Sequence, residues 1–139
     1  MDFGKARTGI AVSDPLGITA QGVETIFEKN PRKVAERVAA LSSFYEACII
    51  VVGLPKNMNN TIGERGKSAL EFAESLRKLC SSCEVVMWDE RLSTVSAIGI
   101  LNETDTRGKK RKDTVDTVAA GIILQGYLDY KNKDGGNRI

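Results

Sequence analysis

Residues 1–17 read MDFGKARTGIAVSDPLG, and this stretch predicts the start of a β-sheet. Residues 8–13 and about 18–26 have the short apolar patterns that are typical of strands. Between them, Asp14, Pro15 and Gly17 stand at the positions that a tight turn favours. The stretch therefore predicts a β-hairpin, with the acidic residue Asp2 placed just before it.

Helical and strand patterns alternate after the hairpin. Asn30 followed by Pro31 is typical of a helix start. The runs 47–53 and 84–88 are apolar, as expected of buried strands. Helical spacing predicts inward faces for helices near 31–45, 64–80, 94–103 and 114–129: Val34, Val38, Leu41, Tyr45; Ala69, Phe72, Ala73, Leu76, Leu79; Val95, Ile98, Leu101; and Val115, Val118, Ala119, Ile122.

This order of elements predicts one α/β domain over residues 1–130, with a mixed sheet flanked by helices and parallel in its later half. Residues 131–139 are expected to form a flexible C-terminal tail. No apolar run has the length of a membrane span, and no secretory signal pattern is present. We therefore expect a soluble, cytoplasmic protein that does not bind membranes.

The chain contains no histidine, and this excludes several classes of site. Serine or cysteine catalysis with a histidine base is excluded, as are zinc sites that use histidine. The three cysteines cannot complete a four-thiolate zinc site, and the pair Cys80 and Cys83 closes a predicted helix instead of opening one. We interpret that pair as ordinary thiols. Metal chemistry would rest on carboxylates, which favours Mg²⁺ or Mn²⁺.

Three acids stand where the predicted layout would bring them together. Asp2 stands at the end of a first strand that is expected before the hairpin, Glu90 follows the last predicted strand, and Asp116 lies in the first turn of the final helix. Functional groups gather beyond the carboxyl ends of strands in sheets of this kind. Three carboxylates there would hold one or two divalent ions and support phosphodiester hydrolysis.

Each acid also has a simpler interpretation. Asp2 would then be an exposed terminal residue, and Glu90 would pair with Arg91 on the surface. Asp116 would serve the helix dipole, with Asp113 as the N-cap.

A basic cluster precedes the final predicted helix. It consists of Arg107, Lys109, Lys110, Arg111 and Lys112. By itself such a cluster is either a solvated loop or a contact surface for nucleic acid.

Four ordered motifs carry a resemblance to a known family. They are DFGKARTGIAVSDPLG (2–17), VVGLPKN (51–57), DERLST (89–94) and KKRKDTVDTVAA (109–120). Together they resemble the YqgF family, described as Holliday junction resolvases or as nucleases that mature the precursor of 16S ribosomal RNA. The resemblance covers nearly the whole chain and implies a fold of the ribonuclease H type.

The resemblance also implies roles for particular residues. The family's metal-binding and catalytic acids fall on Asp2, Glu90 and Asp116, the trio that the layout suggests. Arg7 and Arg91 match basic residues of the motifs, and Asn57 matches the asparagine after GLP. Beside a phosphodiester site, these arginines and the basic cluster at 107–112 would bind nucleic acid.

The implied function is a Mg²⁺- or Mn²⁺-dependent endonuclease acting on pre-16S rRNA or branched DNA. We expect a monomer or a weak homodimer, because a junction resolvase would match a two-fold substrate and an RNA-processing enzyme need not. The alternative is a non-catalytic RNA-binding factor in ribosome assembly.

Two departures from the family pattern bear on this choice. The first strand is truncated to Met1 before the acid, and Lys5 stands one place earlier than the family's lysine, with Ala6 in that position. We expect that the start codon was assigned too far downstream or that the chain was trimmed. The in-frame codons upstream would decide this.

Overall fold

The computed structural model describes residues 1–92 and 108–136, with side chains described for 1–92 and 115–133. The strands are β1 (Arg7–Ser13), β2 (Ala20–Phe27), β3 (Ile49–Leu54) and β4 (Glu84–Asp89). The helices are α1 (Pro31–Phe44), α2 (Glu64–Leu79) and α3 (Gly108–Gly136), and a 3-10 turn covers Glu90–Leu92. Within the described ranges, no helix is long and apolar enough to cross a membrane.

The predicted hairpin is confirmed. Strands β1 and β2 pair antiparallel, and the Gly17 N–H donates to the Asp14 carbonyl (2.9 Å) to close the turn. The Asp14 carboxylate accepts from the backbone N–H groups of Ile18 (2.7 Å) and Thr19 (2.8 Å), which lowers the pKa of Asp14. Gly17 has a φ of +69°, a conformation that glycine adopts without strain.

The second pair of strands is parallel, as predicted, and residues 1–2 connect it to the hairpin. Strand β3 runs parallel to β4 in register from Ile49 opposite Glu84 to Leu54 opposite Asp89. On one side, Met1 bonds to β3 through its amino group to Val51 (2.5 Å) and its carbonyl to Gly53 (3.0 Å). On the other side, Asp2 exchanges two backbone bonds of 3.0 Å with Gly9. These two residues take the place of a central strand between the two-stranded sheets.

Helices α1 and α2 supply one side of the core. The Asn30 side chain caps α1 by accepting from the Arg32 N–H (3.0 Å), and Pro31 begins the helix, as predicted. The residues of these helices that are buried in the core are Val34, Ala35, Val38, Ala69, Phe72, Ala73 and Leu76. Tyr45 and Leu79 were expected to face inward but are 42% and 49% exposed, because Tyr45 is the C-cap of α1 and Leu79 is the last residue of α2.

Helix α3 packs on the hairpin through glycines. A Cβ added at Gly9 would lie 2.0 Å from the Asp116 carbonyl oxygen, and one at Gly22 would lie 2.7 Å from the Thr117 Cβ. The absence of these side chains lets the helix backbone touch the sheet. The inward face of α3 is centred on Ala120, Ile123 and Leu128, whereas Val115 is 37% exposed.

The final helix begins earlier and ends later than predicted. It starts at Gly108, so residues 109–112 are helical and the prediction of a basic loop there is wrong. Asp113 is inside the helix and is not its N-cap, and Asp116 lies beyond the first turn. The helix also continues without interruption to Gly136, through most of the predicted tail. Lysine and arginine are good helix formers, which explains why the basic run joins the helix.

Two predictions concern other parts of the chain. The helix predicted at 94–103 and the residue Arg107 lie outside the described residues. The Cys80 and Cys83 pair closes α2 as predicted: Cys80 is its C-cap and is buried, and the Cys83 Sγ contacts the Ala47 carbonyl at 3.2 Å.

Candidate active site

Asp2 lies at the junction of the two strand pairs. Its backbone is bonded to Gly9, and its side chain is 22% exposed. The Arg65 Nη2 atom lies 4.0 Å from Asp2 Oδ1. Burial raises the pKa of the Asp2 carboxyl group, the guanidinium of Arg65 opposes the rise, and the carboxylate of Asp116 adds to it.

Glu90 is the first residue after β4 and lies against β3. A Cβ added at Gly53 would lie 3.2 Å from both the Cγ and the Oε2 of Glu90, so the glycine leaves the space that the carboxylate uses. Burial raises the pKa of Glu90, and the nearby Asp2 carboxylate raises it further. Glu90 and Asp2 are therefore electrostatic neighbours, with β3 between the segment of Asp2 and the strand that precedes Glu90.

Asp116 reaches the same region from α3. Its side chain is 16% exposed, and its Oδ2 lies 3.3 Å from the Arg7 Nε. The close packing of the Asp116 backbone on Gly9 fixes where this carboxylate stands relative to β1. Arg7, matched above to a basic residue of the opening motif, holds the third acid in this structure.

The amino group of Met1 also belongs to this region. Burial lowers its pKa to about 6, against the opposing attraction of the Asp2 and Glu90 carboxylates. The fold thus places two carboxylates near one buried amine and brings Asp116 within electrostatic reach of Asp2.

The donor set suits a hard divalent ion, although the side chains do not form a ready cluster. In the parts of the chain that the structure describes, no group of three acidic or cysteine side chains is arranged to enclose a metal ion. The chemistry nevertheless fits, because carboxylate oxygens are the ligands that Mg²⁺ and Mn²⁺ prefer. The space beside Gly53, which a Cβ would fill, also leaves the Glu90 carboxylate room at the strand end.

Arg91 makes contacts within the protein. Its guanidinium forms a two-point contact with Asp89 (Nε to Oδ1 3.0 Å, Nη2 to Oδ2 2.7 Å). It also donates to the Asn60 side chain (2.9 Å) and the Asn57 carbonyl (3.3 Å). The bonds from Arg91 to Asp89 lower the pKa of Asp89. The bonds from Arg91 to Asn57 and Asn60 link the loop after β3 to the end of β4. A nucleic-acid contact by Arg91 stays a prediction.

Two residues near the acids were missed by the sequence reasoning. Arg65 is the second residue of α2, the helix that follows β3. Its position after a parallel strand was a signal in the sequence, because groups that follow such strands meet at one edge of the sheet. Gly53 was noted only as the end of a strand. Its contact with Glu90 has no local signal, because it depends on how β4 is paired with β3.

Comparison with known proteins identifies the family of this chain. Residues 1–130 match the family model RuvX, described as Holliday junction resolvase. The chain belongs to the RuvX family. This confirms the resemblance drawn from the four motifs, and with it the ribonuclease H-like fold class of the mixed α/β arrangement described above. RuvX membership also makes the chain a nuclease, a hydrolase of phosphodiester bonds.

Individual relatives are about 50% identical to this chain in sequence. A protein of Halothermothrix orenii is 48% identical over 133 residues, which cover 96% of this chain and 94% of the relative. A protein of Bacillus cytotoxicus is 51% identical over 133 residues, covering 94% of this chain and 96% of the relative. One from Bacillus thuringiensis is 50% identical over the same length. All three bear the name "Putative pre-16S rRNA nuclease".

Proposed function

We propose that this RuvX protein is a divalent-metal-dependent endonuclease and that Asp2, Glu90 and Asp116 are its metal-binding acids. The observation that carries the proposal is their arrangement: Asp2 is coupled electrostatically to both Glu90 and Asp116 in a largely buried setting. Buried carboxylates that repel one another are a common mark of a functional site. A divalent ion relieves that repulsion.

The proposed division of labour follows from the contacts. The three carboxylates hold Mg²⁺ or Mn²⁺, which when bound activates a water and stabilises the leaving oxygen. Arg7 is 41% exposed beside Asp116, so its guanidinium can donate to a phosphate oxygen of the substrate once it leaves the carboxylate. The basic residues 107 and 109–112 are proposed to bind the backbone of the nucleic acid near the start of α3.

The proposed substrate is the 5′ end of the 16S ribosomal RNA precursor. The names of the relatives from three bacteria support it. The family description favours a second candidate, a four-way DNA junction. Both reactions use the same acids, so the choice between them rests on measurement.

The test is cleavage of both substrates by the purified chain with Mg²⁺ or Mn²⁺. We expect Asp116→Asn to reduce the cleavage rate by more than about 100-fold, since even the outer partners of metal ligands contribute 10–100-fold. The matched control is Asp129→Asn, an exposed aspartate on the same helix, which should cleave like the parent.

Two outcomes would contradict the proposal. Cleavage by Asp116→Asn at the parent's rate would remove this acid from the site. A parent that binds the rRNA precursor but cleaves neither substrate with either ion would instead support the non-catalytic RNA-binding factor.

A further inference from the structure

A groove of about 880 Å³ begins next to Asp2, at Phe3 and Arg65. One wall is formed by residues 3–5, directly after Asp2, together with Lys29 and with Pro31, the first residue of α1. The opposite wall is α2, from Glu64 to Ser75. At 1.5 Å per residue this wall is about 16 Å long, enough to contact several nucleotides of a strand.

The lining of the groove is predominantly basic. Its charged residues are four bases, Lys5, Lys29, Arg65 and Lys67, and two acids, Glu64 and Glu71. Among the residues that the structure describes, none of these three lysines has an acidic partner within 4.0 Å, while Arg7, Arg32, Arg37, Arg77 and Arg91 are all in ion pairs. The ammonium groups of the groove are therefore available to an anionic ligand.

The groove reaches Asp2, one of the three acids. Arg65 lines the groove, and its Nη2 lies 4.0 Å from Asp2 Oδ1. Phe3 follows Asp2 in the chain and lies in the groove as well. A polymer with a phosphate at the acids would meet this groove as its next surface.

The interior of the groove combines apolar and polar surface. The Phe3 ring stacks on Phe72 with ring centroids 4.2 Å apart and an angle of 14° between their planes. Phe72 is 2% exposed, so the stacked pair is anchored in the core. Ser68 and Ser75 add hydroxyl groups along the helix wall. Charged rims with an apolar floor suit a chain of phosphates and bases.

We propose that this groove binds the nucleic-acid strand that continues from the phosphodiester at the acid site, with Lys5, Lys29 and Lys67 contacting its phosphates. The inference rests on the proposed function, because the acid site defines where the strand enters. It adds Lys29 and the α2 residue Lys67, which lie outside the sequence motifs, to Lys5, which lies in the first motif.

The test is the salt dependence of binding to a fluorescein-labelled single-stranded RNA, measured by fluorescence anisotropy in EDTA. Each lost phosphate contact should reduce the slope of log affinity against log salt by about 0.7. We expect Lys5→Gln combined with Lys67→Gln to reduce it by about 1.4, a loss of about 25-fold at 0.1 M salt relative to 1 M. The matched control is Lys131→Gln with Lys133→Gln, which removes the same charge from the end of α3 and should leave the slope unchanged.

A variant that is expected to tighten binding distinguishes the loss of a contact from misfolding. Glu71→Gln removes an acid from the groove and should tighten binding, whereas Glu84→Gln, at the exposed start of β4, should not. Unchanged slope and affinity in the groove variants would overturn the inference.

The two proposals fail separately. Binding in EDTA needs neither metal nor cleavage, so the groove is tested even if the chain proves inactive. If the groove variants bind like the parent while Asp116→Asn no longer cleaves, the groove is wrong and the acid site stands.

Discussion

Glu90 shows what the fold does to a single carboxyl group. Its pKa is raised by burial and then by Asp2, so this acid takes up protons more readily in the folded than in the unfolded chain. Its contribution to stability is therefore fully present at low pH and is lost as the pH rises through its folded-state pKa. At neutral pH the charged Glu90 works against folding, a cost that its proposed role as a metal ligand would explain.

This reasoning gives a prediction at the scale of one residue. Glu90→Gln should increase the free energy of unfolding at pH 7, because the amide is not charged. The gain should disappear below about pH 4, where glutamate is protonated in both states. Urea unfolding across this pH range measures it, with Glu84→Gln as an exposed control on the strand that precedes Glu90. A variant no more stable than the parent at pH 7 would contradict the role assigned to burial.

The contact of α3 with β1 works at the scale of elements. Gly9 allows the helix backbone at Asp116 to touch the strand, and this contact sets the position of the third acid. Gly121, on the same helix, has no atom within 4 Å of an added Cβ. A side chain at position 9 would therefore clash with α3, whereas one at position 121 would meet no other atom of the described residues.

Alanine substitutions at the two positions test this difference. Gly9→Ala should reduce the free energy of unfolding by about 1–3 kcal/mol, the usual cost of overpacking, and should also reduce cleavage by displacing Asp116. Gly121→Ala should increase stability by about 0.5–1 kcal/mol, because alanine favours a helix interior over glycine. Thermal and urea unfolding measure both, and equal effects of the two changes would show that the close contact is unimportant.

Within residues 1–92 and 108–136, the whole molecule consists of two strand pairs and three helices, and the acids come from three different parts of it. A ligand that binds only the folded chain stabilises it, by about 2.7 kcal/mol at 100 times its dissociation constant. We expect Mg²⁺ or Mn²⁺ to raise the unfolding temperature of the parent in a concentration-dependent way. The shift should be lost in Asp116→Asn and kept in Asp129→Asn, and a shift equal in both variants would place the ion elsewhere.

Elements encoded by local chemistry were predicted well. The turn at Asp14–Gly17 and the Asn30 cap with Pro31 depend on neighbouring residues, so the sequence is sufficient to predict them. Errors arose where periodicity was extended to helix ends, as at Tyr45 and Leu79. The start of α3 was missed because a run of like charges was read as a loop, although its residues favour helix.

The sequence by itself determined which acids are available, since the absence of histidine leaves carboxylates as the candidate metal ligands, and it predicted their places after strands and on the last helix. Tertiary structure alone decided their surroundings: Arg65 near Asp2, Gly53 against Glu90, and Arg7 on Asp116. It also brought Lys5, Lys29 and Lys67 to the lining of one groove. The physical reason is distance along the chain. Turns and caps form between near neighbours, whereas these contacts join segments that meet only when the sheet is paired and the helices are packed on it.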